Sequence, residues 1–329
     1  MDSVQPELDD DIRIEMLQTM LRIREFEAVM HDQFADAEIP GFLHMYIGEE
    51  AIATGVCQAM KENDYLTSTH RGHGHCIARG LNTGKMAAEL YGREDGYCDG
   101  KGGSMHIADI DAGMLGANGI VAAGIPIATG AAVSSKMDGC EDVAVSFFGD
   151  GGPSQGAFHE SFNLAAMDDL PLVGIIENNQ YGEMSGIEEQ HPEATLDDMT
   201  RYGEAYGVDR EQVDGMDVEE VYKAAVQHIE KARAGEGPSL IECVAYRFRG
   251  HHEGDTEFYR EDEEVAQWRE KDPIDTYPAK LKNEGVISDS GLKSMRSAVE
   301  EEIQGAVEFA RNSDWPEPEE AHKGMFAER

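Results

Sequence analysis

The chain has 329 residues, 40% of them hydrophobic, and a net charge of −39 from 66 acidic and 27 basic side chains. That length suits one large α/β core with an appendage, and so acidic a surface repels nucleic acid and anionic membrane, excluding both as partners. Disordered acidic chains lack apolar periodicity, which this chain carries, so the carboxylates fit a halophilic, salt-saturated cytoplasm where screening suppresses self-repulsion.

The five cysteines show no CxxC spacing and read as reduced residues. No signal pattern and no apolar run of membrane-spanning length is visible, so a cytoplasmic protein is expected. Ile14, Leu17 and Leu21 mark an amphipathic helix reaching about Phe34, an N-terminal helical arm over 1–40. Gly41–Gly48 reads as a loop carrying His44, and Glu49–Met60 as helix. In Asp64–Gly80, His70, His73 and His75 sit beside Arg71. Alternating histidines can hold zinc, but no Cys or acidic cluster joins them at finger spacing, so hydrogen bonding in a polar loop is the simpler reading for His73 and His75. The stretch Gly92–Gly119 is glycine-rich without a phosphate-binding G-x-x-x-x-G-K-[ST] pattern. Its interleaved Met105, Ile107, Met114 and Leu115 point to an ordered, packed loop rather than a linker. Helix is expected from Ile125 to Lys136.

Val143–Phe148 is an apolar run that reads as a buried strand, followed by the turn Gly149-Asp150-Gly151, where glycines allow positive φ. Phe158, Phe162 and Ala165 then lie on one helical face. Leu172–Ile176 is a second apolar run, ending at Asn178-Asn179. Strand, helix and strand at this length form a right-handed βαβ unit with parallel strands. Asp150 and Asn179 therefore emerge at one sheet edge, where open α/β sheets bind ligands. One carboxylate, one amide oxygen and a backbone carbonyl are hard donors suited to Mg²⁺ that shares its shell with phosphate. A helix starting near Ser154 points its free amides at the same edge.

Farther on, Glu183–Asp198 looks irregular, helices are expected at Asp198–Tyr206 and Val218–Ala234, and Ser239–Phe248 alternates like a strand. That strand delivers His251-His252-Glu253, whose adjacent side chains would face opposite ways and so make a poor metal site. Leu292, Met295, Val299, Ile303, Val307 and Ala310 trace a helix face, giving an α/β domain over 41–285 and a C-terminal helix with an acidic tail over 286–329.

The string from Gly149-Asp150-Gly151 through a spacer of 26 residues to Asn178-Asn179 resembles the thiamine diphosphate motif. Continued through ENNQYG, and with KGGSMH, GANGIV and GHHEGD, the chain resembles the α subunit of the E1 component of 2-oxo acid dehydrogenase complexes from about Phe42 to Arg260. The resemblance implies the thiamine diphosphate-binding fold, a mostly parallel sheet with helices on both faces. It implies Mg²⁺ held by Asp150, Asn179 and the Tyr181 carbonyl. The cofactor would meet His44, His70, Arg71, Gly151, Gly152 and His251 around its diphosphate side and the main chain at Gly119 and Val121, with His251 and His44 as catalytic residues. Arginine suits diphosphate because its planar fork binds phosphate bidentately, and histidine supplies an acid–base near neutral pH.

Two positions depart from the family pattern: Ser154 replaces a usual Asn, and Ala122 a frequent Gly. Implied partners are an E1 β subunit in an α₂β₂ heterotetramer and a lipoylated E2 acyltransferase. The implied reaction is oxidative decarboxylation of a 2-oxo acid such as pyruvate, or the corresponding acetoin reaction, with acyl transfer to lipoamide. A branched-chain 2-oxo acid enzyme, a non-catalytic paralogue and a Mg²⁺-dependent phosphohydrolase are the alternatives, the last wanting more carboxylates than Asp150 alone.

Overall fold

The computed structural model describes residues 8–324. Asp9 caps the first helix, accepting from the Ile12 amide at 2.8 Å, and α1 (Asp10–Ala35) buries Met16, Leu17, Met20, Ile23, Phe26 and Met30. Helices α2 (Glu50–Ala59), α3 (His73–Ala78), α4 (Thr83–Leu90) and α5 (Gly124–Asp138) follow, with strand β1 (Tyr65–Thr67) between α2 and α3. The central unit is β2 (Ala144–Gly149), α6 (Gly156–Met167) and β3 (Leu172–Asn178). After it come α7 (Ile187–Gln190), β4 (Asp209–Asp214), α8 (Val218–Arg233), β5 (Ser239–Val244), α9 (Asp262–Arg269), α10 (Pro273–Asn283) and α11 (Asp289–Asn312).

Among the described residues the sheet has five strands in the order β1-β2-β3-β5-β4, and every neighbouring pair is parallel. β2 and β3 run in register from Ala144 opposite Leu172 to Gly149 opposite Glu177. Alternation explains why the strands look uniformly apolar. Val145, Phe147, Val173, Ile175 and Ile241 face a core shared with α1, α2, α8 and α11. Ala144, Phe148, Leu172, Ile176 and Leu240 face a second core with α5 and α6. Helices thus cover both faces, as the sequence implied.

Some elements differ from the sequence reading for identifiable reasons. β4 is a polar edge strand, Asp-Arg-Glu-Gln-Val-Asp, which joins the sheet through backbone bonds to β5 and one side-chain bond, Gln212 Nε2 donating to Glu242 Oε2 at 2.8 Å, and shows no apolar run in sequence. Val244 ends β5 four residues before the expected Phe248, and the chain continues extended, Phe248 N donating to Ile47 O at 3.0 Å. The expected helix at Asp198–Tyr206 is a 3₁₀ segment, Met199–Tyr206. α10 contains Pro278, a helix breaker by sequence; the Ile274 carbonyl four residues earlier instead accepts from Arg296 Nη2 at 3.3 Å.

Candidate active site

The parallel crossovers place the carboxyl ends of β2, β3 and β5 at one edge, and a cavity of about 410 Å³ opens there. Asp150, Gly151 and Gly152 line it from the turn after β2, and Asn179 and Tyr181 from beyond β3. His44, His70, Arg71, His251, Gly119 and Val121 line it as well. Every residue that the resemblance implied as a metal or cofactor contact therefore lines one cavity.

The oxygen-bearing side is preorganised. Asp150 is buried, its Oδ2 has no partner, and burial pushes its carboxyl up to about 6 against the opposing pull of Arg247 and the Gly151 amide. Asn179 Nδ2 donates to both oxygens of Glu49, 3.2 Å each, while its Oδ1 accepts from the Tyr181 amide at 3.4 Å. Neighbouring Asn178, the last residue of β3, bonds elsewhere, donating to Glu242 Oε1 at 2.6 Å, so the two asparagines do different work. The turn after β2 does not use positive φ at Gly149 or Gly151. Space, rather than φ, demands glycine at 152: a Cβ there would stand 2.6 Å from the Phe148 ring. Ser154 Oγ donates to Gly151 O at 3.0 Å, and α6 begins with no side-chain cap on its first amides. Uncapped amides at a helix start attract an anion.

The histidines and arginines of the lining cluster together. The rings of His44, His70 and His251 lie 4.8, 5.0 and 5.4 Å apart in their three pairings. His44 Nδ1 and His70 Nε2 are buried without partners. Burial, reinforced by Arg71, pushes the three imidazoles down to about 3, 2 and 2. Ligand nitrogens within 4.8 Å of one another would suit a cation by spacing alone. The buried guanidiniums of Arg71 and Arg247 line the same cavity, and their fixed positive charge makes this wall an anion site instead.

Arg71 Nη1 donates to Met45 O at 2.7 Å and Nη2 to His251 O at 2.9 Å. Its fork thus ties two loops together, and burial, then Arg247, pushes the guanidinium down to about 10. His251 is fixed from behind, its amide donating to Asp255 Oδ2 at 2.7 Å. Because β5 has already ended, strand alternation does not apply to His251-His252, and both rings approach His44, at 5.4 and 6.1 Å. Glu253 pairs instead with His31 at 2.9 Å. His73 and His75 stand on α3 rather than in a loop. His73 bonds Glu27 at 3.1 Å and Ser104 at 3.0 Å, and His75 bonds Ser68 at 2.7 Å and Glu177 at 2.9 Å. They are buried hydrogen-bonding residues and do not share a metal with His70.

Four functional side chains escaped the sequence reading. Arg247 Nη1 donates to the carbonyls of Tyr181 and Gly182 at 3.2 Å, and Nη2 to that of Glu183 at 3.3 Å, clamping the turn beyond β3. Glu177 accepts from His75 and from the Tyr46 hydroxyl; a lone carboxylate inside an apolar strand was its signal. Glu49 lies against Asn179, and burial, then Glu177, pushes its carboxyl up to about 8 while Arg71 pulls it down. Glu89 explains the glycine-rich loop. Its carboxylate accepts from the amides of Cys98, Gly100, Gly102 and Gly103 at 2.8, 3.0, 2.7 and 3.0 Å. A Cβ at Gly96 would stand 2.6 Å from the Glu89 Cα, so the chain closes over that carboxylate only with glycine there. Beyond it, Ala122 adopts φ +65°, a left-handed conformation that costs an L-residue about 1 kcal/mol and accounts for the glycine common at this place.

An all-parallel sheet whose strand tips bring a buried carboxylate and amide into one cavity with buried histidines and arginines defines an α/β protein with a charged cleft at the carboxyl edge of its sheet. Residues 18–319 match the family described as Dehydrogenase E1 component, and the chain belongs to that family. The α subunit of acetoin:2,6-dichlorophenolindophenol oxidoreductase of Bacillus subtilis is 46% identical over 314 residues, 95% of this chain and 93% of the relative. Its counterpart in Cupriavidus necator is 41% identical over 320 residues, 97% and 95% of the two chains. The pyruvate dehydrogenase E1 component subunit alpha of Rickettsia bellii is 36% identical over 313 residues, 95% of each. The chain is thus an E1 oxidoreductase subunit, similar over nearly its whole length to proteins named as α subunits.

Proposed function

We propose that the chain is the α subunit of a thiamine diphosphate-dependent E1 enzyme that acts on acetoin, with pyruvate as the second candidate substrate. The observation that carries this reading is the meeting of Asp150 and Asn179, from neighbouring strand tips, with His44, His70, Arg71 and His251 in one cavity. Unpartnered polar atoms at Asp150, His44 and His70 fit a cation and phosphates as binding partners. Asp150, the Asn179 Oδ1 and the Tyr181 carbonyl would hold Mg²⁺, which favours hard oxygens and keeps room for phosphate. The histidine–arginine wall, Gly151, Gly152 and the first amides of α6 would take the diphosphate, and the main chain at Gly119 and Val121 the aminopyrimidine ring. Thiamine diphosphate, when bound, supplies the nucleophilic carbon and the electron sink needed to break a bond beside a carbonyl.

Beside a bound diphosphate, its negative charge would raise the basicity of His44 and His251, which line the cavity, and would let them hold or pass a proton. The α-subunit names of the relatives support a β partner. Ile120 and Val121, which line the cavity and are exposed, support its closing the site, because large apolar side chains left exposed beside a cavity suit an interface. A lipoylated E2 would accept the acyl group. Acetoin leads because the acetoin relatives are 46% and 41% identical and the pyruvate relative 36%.

The test is co-expression with the β subunit and a dye-reduction assay on acetoin, pyruvate and branched-chain 2-oxo acids. Turnover that requires both thiamine diphosphate and Mg²⁺ is expected, with acetoin the best substrate. Turnover independent of the cofactor overturns the proposal.

A further inference from the structure

Glu49 begins α2 and occupies its N-cap position, yet its side chain caps nothing. Its neighbour Glu50 does the local work, accepting from the Gly48 amide at 2.9 Å and from Arg24 at 2.5 Å. Glu49 instead turns into the cavity, 1% exposed. Both of its oxygens stand 3.2 Å from Asn179 Nδ2, and Arg71 Nε lies 3.7 Å away. No other acceptor contacts Nδ2 among the described residues.

A terminal amide has two nearly isosteric ends, one a donor and one an acceptor. Only the oxygen end can serve a cation. Without a partner, Asn179 could turn its amino group toward the position beside Asp150, where it would repel the metal and offer no lone pair. We propose that Glu49 is a positioning residue that sets the Asn179 amide, holding its nitrogen away and its Oδ1 toward the metal position. The Tyr181 amide completes the arrangement by donating to the same Oδ1 at 3.4 Å. The oxygen is thereby aligned with the backbone of the third oxygen donor. Glutamine at 49 keeps the function, because it still presents a carbonyl oxygen, and Arg71 beside it draws that oxygen inward. An apolar residue of the same length does not.

This inference rests on the proposed Mg²⁺ site, and the experiment separates the two. Wild type, Glu49→Gln, Glu49→Met and Glu49→Leu are prepared as the complex with the β subunit. Thiamine diphosphate binding is followed by intrinsic fluorescence as a function of Mg²⁺, and bound Mn²⁺ is followed by paramagnetic resonance. Groups that orient a metal ligand typically contribute about 10- to 100-fold in metal affinity. The apolar variants are expected to lose that much and Glu49→Gln less than about threefold, with melting temperatures unchanged. The double variant Glu49→Leu/Asn179→Asp is expected to recover affinity, since a carboxylate presents an oxygen whichever way it turns. Wild-type affinity in Glu49→Met and Glu49→Leu overturns the inference, as does an equal loss in Glu49→Gln or failure of the double variant to recover. Should the apolar variants not fold, Glu49→Gln decides alone, a tenfold loss refuting control by an acceptor. If wild type itself shows no Mg²⁺-dependent binding, the underlying site assignment fails instead.

Discussion

Replacing Glu89 by glutamine removes a charge and one of two acceptor oxygens from the centre of the loop 92–119. In the wild type, Oε1 accepts from Gly102 and Gly103, and Oε2 from Cys98 and Gly100. Glutamine keeps one oxygen, so two of the four amides must face an amino group that can only donate. Hydrogen bonds to a charged acceptor contribute about 1.5–3 kcal/mol each, so losing two destabilises the loop by about 3–6 kcal/mol. Against a total stability of about 5–15 kcal/mol, that is large, yet the affected atoms belong to one segment, so local opening is expected before global unfolding. Hydrogen exchange of peptides spanning 96–106 should accelerate by at least a hundredfold, while peptides from β2, β3 and β5 keep their protection. Because the same stretch leads to Met105, Asn118 and Gly119 at the cavity, thiamine diphosphate should bind more weakly. Unchanged exchange over 96–106 in Glu89→Gln would refute the view that this carboxylate organises the loop.

Arg247→Lys keeps the charge but cannot bridge the carbonyls of Tyr181, Gly182 and Glu183; Mg²⁺ affinity should fall about 10- to 100-fold with little change in melting temperature, and wild-type affinity would refute the clamp. Stability should drop in acid. The folded state holds His44, His70 and His251 unprotonated down to about 3, 2 and 2, whereas the unfolded chain binds those protons near pH 6.5. Each histidine therefore removes stability as pH falls below about 6.5, by at most about 1.4 kcal/mol per pH unit and less where solvent screens it. Melting temperatures from pH 7 to 5 should decline less steeply in His44→Gln, and an identical slope would contradict the buried neutral cluster. With a net charge of −39, we propose salt-dependent folding; melting in 0.1 M and 3 M KCl should differ by many degrees, and equal melting would count against a halophilic chain.

The sheet was legible where burial on both faces made β2 and β3 continuous apolar runs and where Phe158 and Phe162 kept helical spacing. It was illegible at β4, a polar edge strand paired mainly through its backbone, and at α10, where Pro278 masks a helix whose freed Ile274 carbonyl accepts from Arg296. In the cavity, residues with a distinctive partner in sequence could be found: Asp150 between glycines, Asn179 in a pair, His70 beside Arg71. Arg247, Glu49 and Glu89 could not. Their work is to hold other atoms at distances of 9 to 130 residues along the chain, and no local pattern encodes that. Arg71 shows the same limit from the other side: its residue type fits phosphate, but two of its donors are fixed on Met45 and His251 carbonyls.

The most direct test is a crystal of the complex with the β subunit grown with thiamine diphosphate and Mn²⁺, read by anomalous scattering. A peak about 2.1–2.2 Å from Asp150, the Asn179 side-chain oxygen and the Tyr181 carbonyl is expected, near the distances hard octahedral cations keep, and Asp150→Ala should abolish it. A peak among His44, His70 and His251, or full occupancy in Asp150→Ala, would contradict the account.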